Sequence, residues 1–510
     1  MKICNGNLQK ICNWYQKLDS DKKSRNGGYV FFENTFESHL FLMNCKFITA
    51  KALEKKYHCK TIVFNDYADE QKNKVYHALG VETIEQKDFM SAGEILKSYI
   101  EAFLAMRYCH NMKALIRLVH HGVHIGDLIY DHIIRTNSGR YTVGRLSWKT
   151  DFKVLQKFFL RADFCRKVFR KYPPKYFVAG DIIYINGVYV RTAMRCGADV
   201  IEVCTGRNSR KLIKSKEKFY PNYHDTIRKS IGNLAIDSSS DGWKLEMQEH
   251  LDGLFVGNGD INARAAYLGK KILSKQEILT ELGIRNNKKN IVIMAHCFTD
   301  APHCGGEFIY NDYYEWLVET LKIVSQIDNV NWILKPHPRR DFYHENGVVE
   351  RLYKKYKTPN LYWMSDCYST ATLNQFADAI VTVGGTAGIE FGCEGIPCVN
   401  AGKTFYTGYG LTIEVKSKEQ YVRILNKMNR IKPLSPEKIE LARRILYKKN
   451  GEIYEVLDDE LQKLSYECYM KLLETENERF CNDLFVEKLL SYASENDVRE
   501  SYLYRYALNS

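Results

Sequence analysis

Apolar positions along the chain fall into two recurring patterns that alternate: short β-branched and aromatic runs, and longer stretches with helical spacing. Tyr29, Val30, Phe31 and Phe32 form one short run, a helical pattern follows over 40–53, and Thr61, Ile62, Val63 and Phe64 form the next. Run, helix, run is a βαβ signature, because parallel neighbours need a crossover long enough to return the chain to the same sheet edge. Further strands are predicted at 176–178 and 199–203, with a helix between them. The basic, amide-rich stretch 285–290 interrupts the pattern, which then restarts more cleanly. Strands are predicted at 291–295, 332–334, 361–364, 379–383 and 397–400, and helices near 311–326, 345–356, 370–377 and 386–394. From Ser435, Pro436 and Glu437, an N-cap, an N1 proline and an early carboxylate, the remainder reads as helices. The expected class is α/β, with two Rossmann-like doubly wound domains and a C-terminal helical tail. The boundaries drawn are 1–285, 286–432 and 433–510.

Composition narrows the setting. At 510 residues and 45% hydrophobic content the chain has room for two or three domains, which excludes disordered, collagen-like and small disulfide-framework classes. The 15 cysteines are odd in number and form no CxxC pair, so reduced thiols in a cytoplasm are expected. No uncharged apolar run approaches the roughly 18 residues that span a bilayer, and the start lacks a leader pattern, so the expectation is neither export nor membrane integration. The 74 Lys and Arg exceed the 61 Asp and Glu by 13. That balance allows nucleic acid, an anionic membrane surface or an anionic small molecule as partner.

Ligands of open α/β sheets bind beyond the carboxyl ends of the strands, so the residues that follow the predicted strands carry the chemistry. After 332–334 come Lys335, Pro336, His337, Pro338, Arg339 and Arg340, an imidazole fixed between two prolines within a positive field. That suits a phosphate; a rigid loop with a structural histidine is the plain alternative. After 379–383 come Gly384, Gly385, Thr386, Ala387 and Gly388, leading into a helix that carries Glu390 one turn later. Small residues let a ligand approach the backbone, Thr386 adds a hydroxyl, and Glu390 is placed to reach a ribose. A close strand-to-helix packing turn explains the same residues. The third end, after 291–295, holds His296 and Asp300. His296 and His303 are seven apart and fit no standard zinc spacing, so no metal is assigned.

The succession of Lys335, Pro336, His337 and Pro338, a small-residue turn with Thr386, Gly395-Ile396-Pro397, and an aromatic loop ending Gly410-Leu411-Thr412 resembles bacterial capsule polysaccharide biosynthesis proteins of the Kps type. That family includes transferases of the acidic sugar Kdo. The resemblance implies the two-domain GT-B glycosyltransferase fold, with a nucleotide donor on the C-terminal domain and the acceptor on the N-terminal one. It implies donor contacts from Lys335 and His337, and from Thr386, which stands where the family carries a Ser-Thr pair and this chain has Gly385 and Thr386. His296, Arg339, Gly384, Gly385 and Glu390 complete the donor set. The expected partners are a nucleotide sugar and a glycan or glycolipid acceptor, with no cofactor and no nucleic acid.

Catalytic carboxylates are sought in Asp127, Asp131 and Asp300. The segment 120–132 concentrates four of the 14 histidines beside Asp127 and Asp131, which share a helix face with Arg135. An N-cap role for Asp127 explains it equally well. Glu33 and Glu37, after the first strand, compete for the role. The basic residues Arg207, Arg210, Lys211, Lys214, Lys216 and Lys218 suit an anionic lipid surface, which would place the protein at the inner membrane face, or a polyanionic acceptor, or they form a solvated loop or helix face. Two other functions stay open: a polyol-phosphate transferase of the teichoic-acid type, and a non-catalytic nucleotide- or glycan-binding protein.

Overall fold

The structure is a computed structural model. It describes residues 5–19, 27–34, 39–65, 70–203, 210–213, 224, 227–228, 231–232, 242–258, 261–454 and 460–509. Two units emerge from the contacts. The first comprises Met1–His132, Arg145–Phe219 and Glu452–Ser510; the second comprises Ile133–Gly144 and Tyr220–Gly451.

In the first unit, strands β1 (Tyr29–Glu33), β2 (Lys60–Phe64) and β3 (Glu82–Ile84) precede a two-stranded hairpin, β4 (Val119–His120) and β5 (Val123–His124). Strands β6 (Pro174–Ala179), β7 (Asp199–Val203) and β8 (Arg210–Ile213) complete the unit. Its main sheet runs β3-β2-β1-β6-β7-β8, parallel except that β8 lies antiparallel to β7. The second unit holds β9 (Asn290–Met294), β10 (Asn331–Lys335), β11 (Leu361–Trp363), β12 (Ala379–Thr382), β13 (Cys398–Asn400) and β14 (Ile413–Glu414). Its sheet runs β11-β10-β9-β12-β13-β14 and is parallel throughout. Both sheets therefore have the Rossmann order, which reverses direction between β1 and β6 in one and between β9 and β12 in the other.

Strand composition follows from two-sided burial. Ile291 and Ile293 pack in one core with Trp332, Leu334 and Val381, while Val292 faces the opposite core with Ile333 and Ile380. Both faces are covered, so these strands read as continuous apolar runs. The predicted strands match those observed to within a residue or two. The short β3 and β14, and the antiparallel β8, gave no comparable pattern.

The tail departs from the expected 433–510 extension. Helix Pro436–Tyr454 stays with the second unit, where Ala442, Ile445 and Leu446 pack with Ile389 and Tyr406. Helices Glu460–Thr475, Glu478–Glu495 and Tyr502–Asn509 return to the first unit, and Leu461, Phe485 and Leu503 share a core with Phe41 and Phe47. The cause lies in helix Leu40–Tyr57, which is buried on every side from Leu40 to Glu54 and needs cover beyond its own sheet. The boundary drawn at 285 also moves. Trp243, Met247 and Leu251 join the core around Ile389, and Tyr141 packs on Phe298 and Tyr314 at ring separations of 5.5 and 5.6 Å.

Candidate active site at the switch point of the second sheet

Crossovers leave β9 and β12 in opposite directions, which opens a crevice at their carboxyl ends, and the segments singled out from sequence meet there. His296, just past β9, bonds through Nε2 to Thr382 Oγ1 on β12 at 2.9 Å and lies on the Tyr313 ring at 4.7 Å. Burial pushes its pKa down to about 4, so the ring is neutral near pH 7. A Cβ on Gly385 would stand 3.1 Å from His296 Cε1, and Tyr406 donates its hydroxyl to the Gly385 carbonyl at 2.6 Å. A Cβ on Gly388 would come within 2.4 Å of the Tyr406 oxygen. Gly388 is thus required by a side chain of the protein itself and Gly385 is closely packed against another, which is the packing explanation. A Cβ on Gly384 would meet Thr404 Cγ2 at 3.4 Å and the Lys403 carbonyl oxygen at 3.6 Å, both ordinary contacts, and Thr386 is exposed and makes no side-chain cap bond.

The helix expected over 386–394 is instead one turn, Ala387–Glu390, followed by a 3-10 turn, Gly392–Glu394. Aligned peptide dipoles sum over several turns, so little anion attraction comes from this short element. Glu390 sits half-buried at its end. The positive field comes from side chains at the end of β10.

Lys335, the last residue of β10, is 2% exposed, and among the described residues no hydrogen bond or ion pair engages its ammonium. Desolvation, reinforced by Lys270 and Arg340 and opposed by Asp366, pushes its pKa down to about 8. A buried cation without a paired carboxylate is costly unless a ligand compensates it. His337 accepts the Arg339 backbone N–H at Nδ1 (3.1 Å), and the Cys297 sulfur lies 2.9 Å from the same nitrogen. Desolvation, with His296, Lys335, Arg339 and Arg340 around it, drives the His337 pKa down to about 3. The ring is therefore neutral with its proton on Nε2, a fixed donor. Arg340 is committed elsewhere, paired with Asp366 and with Glu350 at 3.2 Å. Arg339 lies over the Phe342 ring at 4.6 Å.

Two site residues gave no sequence signal. Glu345 is buried and accepts the N–H groups of Phe298 and Thr299 at 2.9 and 2.8 Å and the Thr299 hydroxyl at 2.9 Å, which fixes the loop after β9. Desolvation raises its pKa to about 7. Lys270, half-buried, has its pKa lowered chiefly by desolvation. Each lies far in sequence from the segment it serves. Asp300, in the same loop, reaches the surface, while crowding by protein atoms raises its pKa against the opposing effects of Tyr343 and Arg135. His303 is tied to the Asn311 carbonyl at 2.8 Å.

The carboxylates of the first unit are placed differently from expectation. Both oxygens of buried Asp127 are held by Arg191, at 2.7 and 2.6 Å, and His124 Nδ1 lies at 3.1 Å. Arg191 and His124 hold its pKa at about 2 in spite of burial. An oxygen pair already saturated by a guanidinium is not a general base, so Asp127 is a structural anchor, and it lies inside helix Gly126–Thr136 instead of capping it. Asp131 is likewise buried. Glu33 is the last residue of β1 and pairs with Lys46 at 2.5 Å. Arg135 is on the same helix at the i, i+4 spacing expected, and its guanidinium lies 4.6 Å over the Tyr343 ring. Glu37, Arg207, Lys214, Lys216 and Lys218 lie outside the described residues, while Arg210 and Lys211 are backbone positions of β8.

Residues 281–435 match the family described as "Capsule polysaccharide biosynthesis protein". Over that segment the chain is similar to the capsule polysaccharide biosynthesis proteins. The match bears out the resemblance carried by residues 335–338, Thr386 and 410–412, and it spans β9 to β14. No curated protein matches the chain. Among solved structures, the chain is similar to the KpsC beta Kdo 2,7 transferase of Thermosulfurimonas dismutans, at 16% identity over 56% of this chain and 80% of that one, TM-score 0.29. It is similar to the KpsC beta Kdo 2,4 transferase of the same organism at 12% identity over 48% and 72%, TM-score 0.27. It is also similar to UDP-GlcNAc 2-epimerase from Neisseria meningitidis at 10% identity over 87% and 99%, TM-score 0.25. TM-scores this low carry no argument about substrate.

Proposed function

We propose that this protein is a glycosyltransferase of capsule-type polysaccharide assembly that takes a nucleotide-activated sugar, CMP-Kdo in kind, and transfers it to a glycan or glycolipid. The observation that carries the reading is Lys335: a buried ammonium that no hydrogen bond or ion pair engages among the described residues, at the end of β10, two residues before neutral His337, in the segment that matches the capsule family. A donor phosphate supplies the missing anion, with Arg339 at the rim and the Gly384 and Thr386 turn beneath the nucleotide. Glu390 is assigned to the ribose. His296 acts as a positioning residue that locks β9 to β12. Asp300 is the catalytic carboxylate of this reading, since it alone of the three candidates reaches the surface.

The test is a thermal-shift panel of CMP, CDP, UDP and GDP ligands, followed by turnover assays with CMP-Kdo and CDP-glycerol. A ligand at 100 times its Kd stabilises by about 2.7 kcal/mol. Absence of any shift sinks the reading. Turnover of CDP-glycerol alone would establish the polyol-phosphate alternative, and binding without turnover would leave a nucleotide-binding protein.

A cytoplasmic protein that meets a glycolipid needs a membrane-facing surface. Among the described residues no helix is long and apolar enough to cross a membrane. Helix Ala92–Tyr108 instead exposes Leu96, Tyr99, Ile100, Phe103 and Tyr108, with Trp148 on the Phe103 ring at 5.5 Å. Lys97, Arg107, Lys149 and Lys153 are exposed around them. Apolar side chains ringed by cations suit the headgroup region of an anionic bilayer. Co-sedimentation with phosphatidylglycerol vesicles, lost in Leu96→Ser/Phe103→Ser, checks this; equal sedimentation of the variant refutes it.

A further inference from the structure

The histidines of 120–124 were drawn from sequence into a catalytic reading with Asp127, and the structure splits them. His124 goes to Asp127, whereas His120 and His121 turn to a different carboxylate. Hairpin β4–β5 pairs His120 with Val123, which leaves His121 and Gly122 as a two-residue turn at φ 48° and 78°. That is a turn of the primed type, with left-handed backbone at both positions. Successive side chains of a strand point to opposite faces. The left-handed step at His121 brings the two rings together instead, with centroids 4.1 Å apart.

Both Nε2 atoms converge on one oxygen of Asp163, at 2.8 and 3.2 Å. Asp163 belongs to helix Asp151–Lys171, and its other oxygen is held by Lys97 at 3.0 Å. Lys97 also reaches Glu101 Oε1 at 3.2 Å. The remaining Glu101 oxygen, Oε2, stands 4.0 Å from His120 Nε2, is buried, and among the described residues accepts no hydrogen bond. One ligand atom each from Glu101, His120, His121 and Asp163 thus lies within 4.8 Å of all the others.

We propose that Glu101, His120, His121 and Asp163 form a divalent transition-metal site of the zinc class. Two imidazoles and two carboxylates are a complete tetrahedral donor set, and metal–ligand bonds of about 2.0–2.1 Å need ligand atoms about 3.3 Å apart. Moderate side-chain adjustment closes the cluster to that spacing, and the metal satisfies the stranded Glu101 oxygen. Lys97 takes the outer oxygen of both carboxylates and so orients the inner ones. The ion would fasten helix Ala92–Tyr108, the hairpin and helix Asp151–Lys171 together, steadying the helix that exposes the apolar side chains. Sequence spacing hid the set, because two ligands are adjacent and the others lie 19 and 42 residues away.

The full chain, stripped of metal, is titrated with Co2+ and then Zn2+. One equivalent of Co2+ is expected to give a visible d–d band without a thiolate-to-cobalt band, displaced by Zn2+. His121→Asn keeps a residue tolerant of left-handed backbone, and Glu101→Gln keeps size and polarity. Each should raise the Co2+ Kd at least about tenfold with unchanged far-UV circular dichroism. No visible band, a thiolate band, or unchanged affinity in both variants overturns the proposal.

Discussion

Replacing Lys335 by Met separates stability from ligand binding. Lys335 is 2% exposed and its pKa falls from 10.5 to about 8. Such a fall corresponds to about 3 kcal/mol by which the folded state disfavours the charged form. Below pH 8 the folded and unfolded chains both hold the proton, and the folded state bears that whole cost. Between pH 8 and 10.5 the folded chain releases its proton first, so stability rises with pH across this window. Met fills a similar volume without charge, so Lys335→Met should be more stable than wild type at pH 7, by up to about 3 kcal/mol, and the advantage should fade towards pH 10.5. For a domain of this size that is a rise of several degrees in Tm, measurable by calorimetry at pH 7 and 10. The same variant should lose the nucleotide-induced thermal shift. A less stable variant at pH 7, or one that keeps the nucleotide shift, would refute the assignment of Lys335 as an uncompensated phosphate-binding cation.

Asp127→Ala should cost about 3–5 kcal/mol in urea unfolding, because it leaves the buried Arg191 guanidinium unpaired; Asp127→Ala/Arg191→Met should recover much of the loss, and recovery of transferase activity with it would exclude a catalytic Asp127. His296 and His337 are held neutral, at about 4 and 3 against an ordinary 6.5, so the stability they contribute is present above pH 6.5 and is lost as pH falls towards 4. Urea midpoints at pH 7, 5.5 and 4.5 should fall less steeply in His337→Gln than in wild type; parallel curves would count against a buried neutral imidazole.

The alternating apolar runs determined the two parallel sheets, because a strand covered on both faces must be apolar at every position, and Ile291, Val292 and Ile293 show this locally. They also determined that residues 335–340 and 384–386 each follow a strand of one α/β domain, at the end where such sheets place their ligands. The tail was legible as helices but not in its destination. Helical periodicity states which face is apolar, not which partner covers it, and helix Leu40–Tyr57 claimed the last three helices from more than 400 residues away.

Side-chain roles were decided in the same way by long-range pairing. Asp127 looked like a base from its neighbours in sequence, and Arg191 made it an anchor. Gly385 and Gly388 looked like a phosphate turn, and His296 and Tyr406 pack closely against them. Glu345 and Lys270 carried no local pattern at all, because their effect on the site comes from burial and from charges brought close only by the fold. Sequence alone pointed to the strand ends at which an anion site is proposed. Only the tertiary structure decided that Lys335 is buried with no hydrogen bond or ion pair among the described residues, since desolvation and pairing are properties of surroundings that periodicity does not encode.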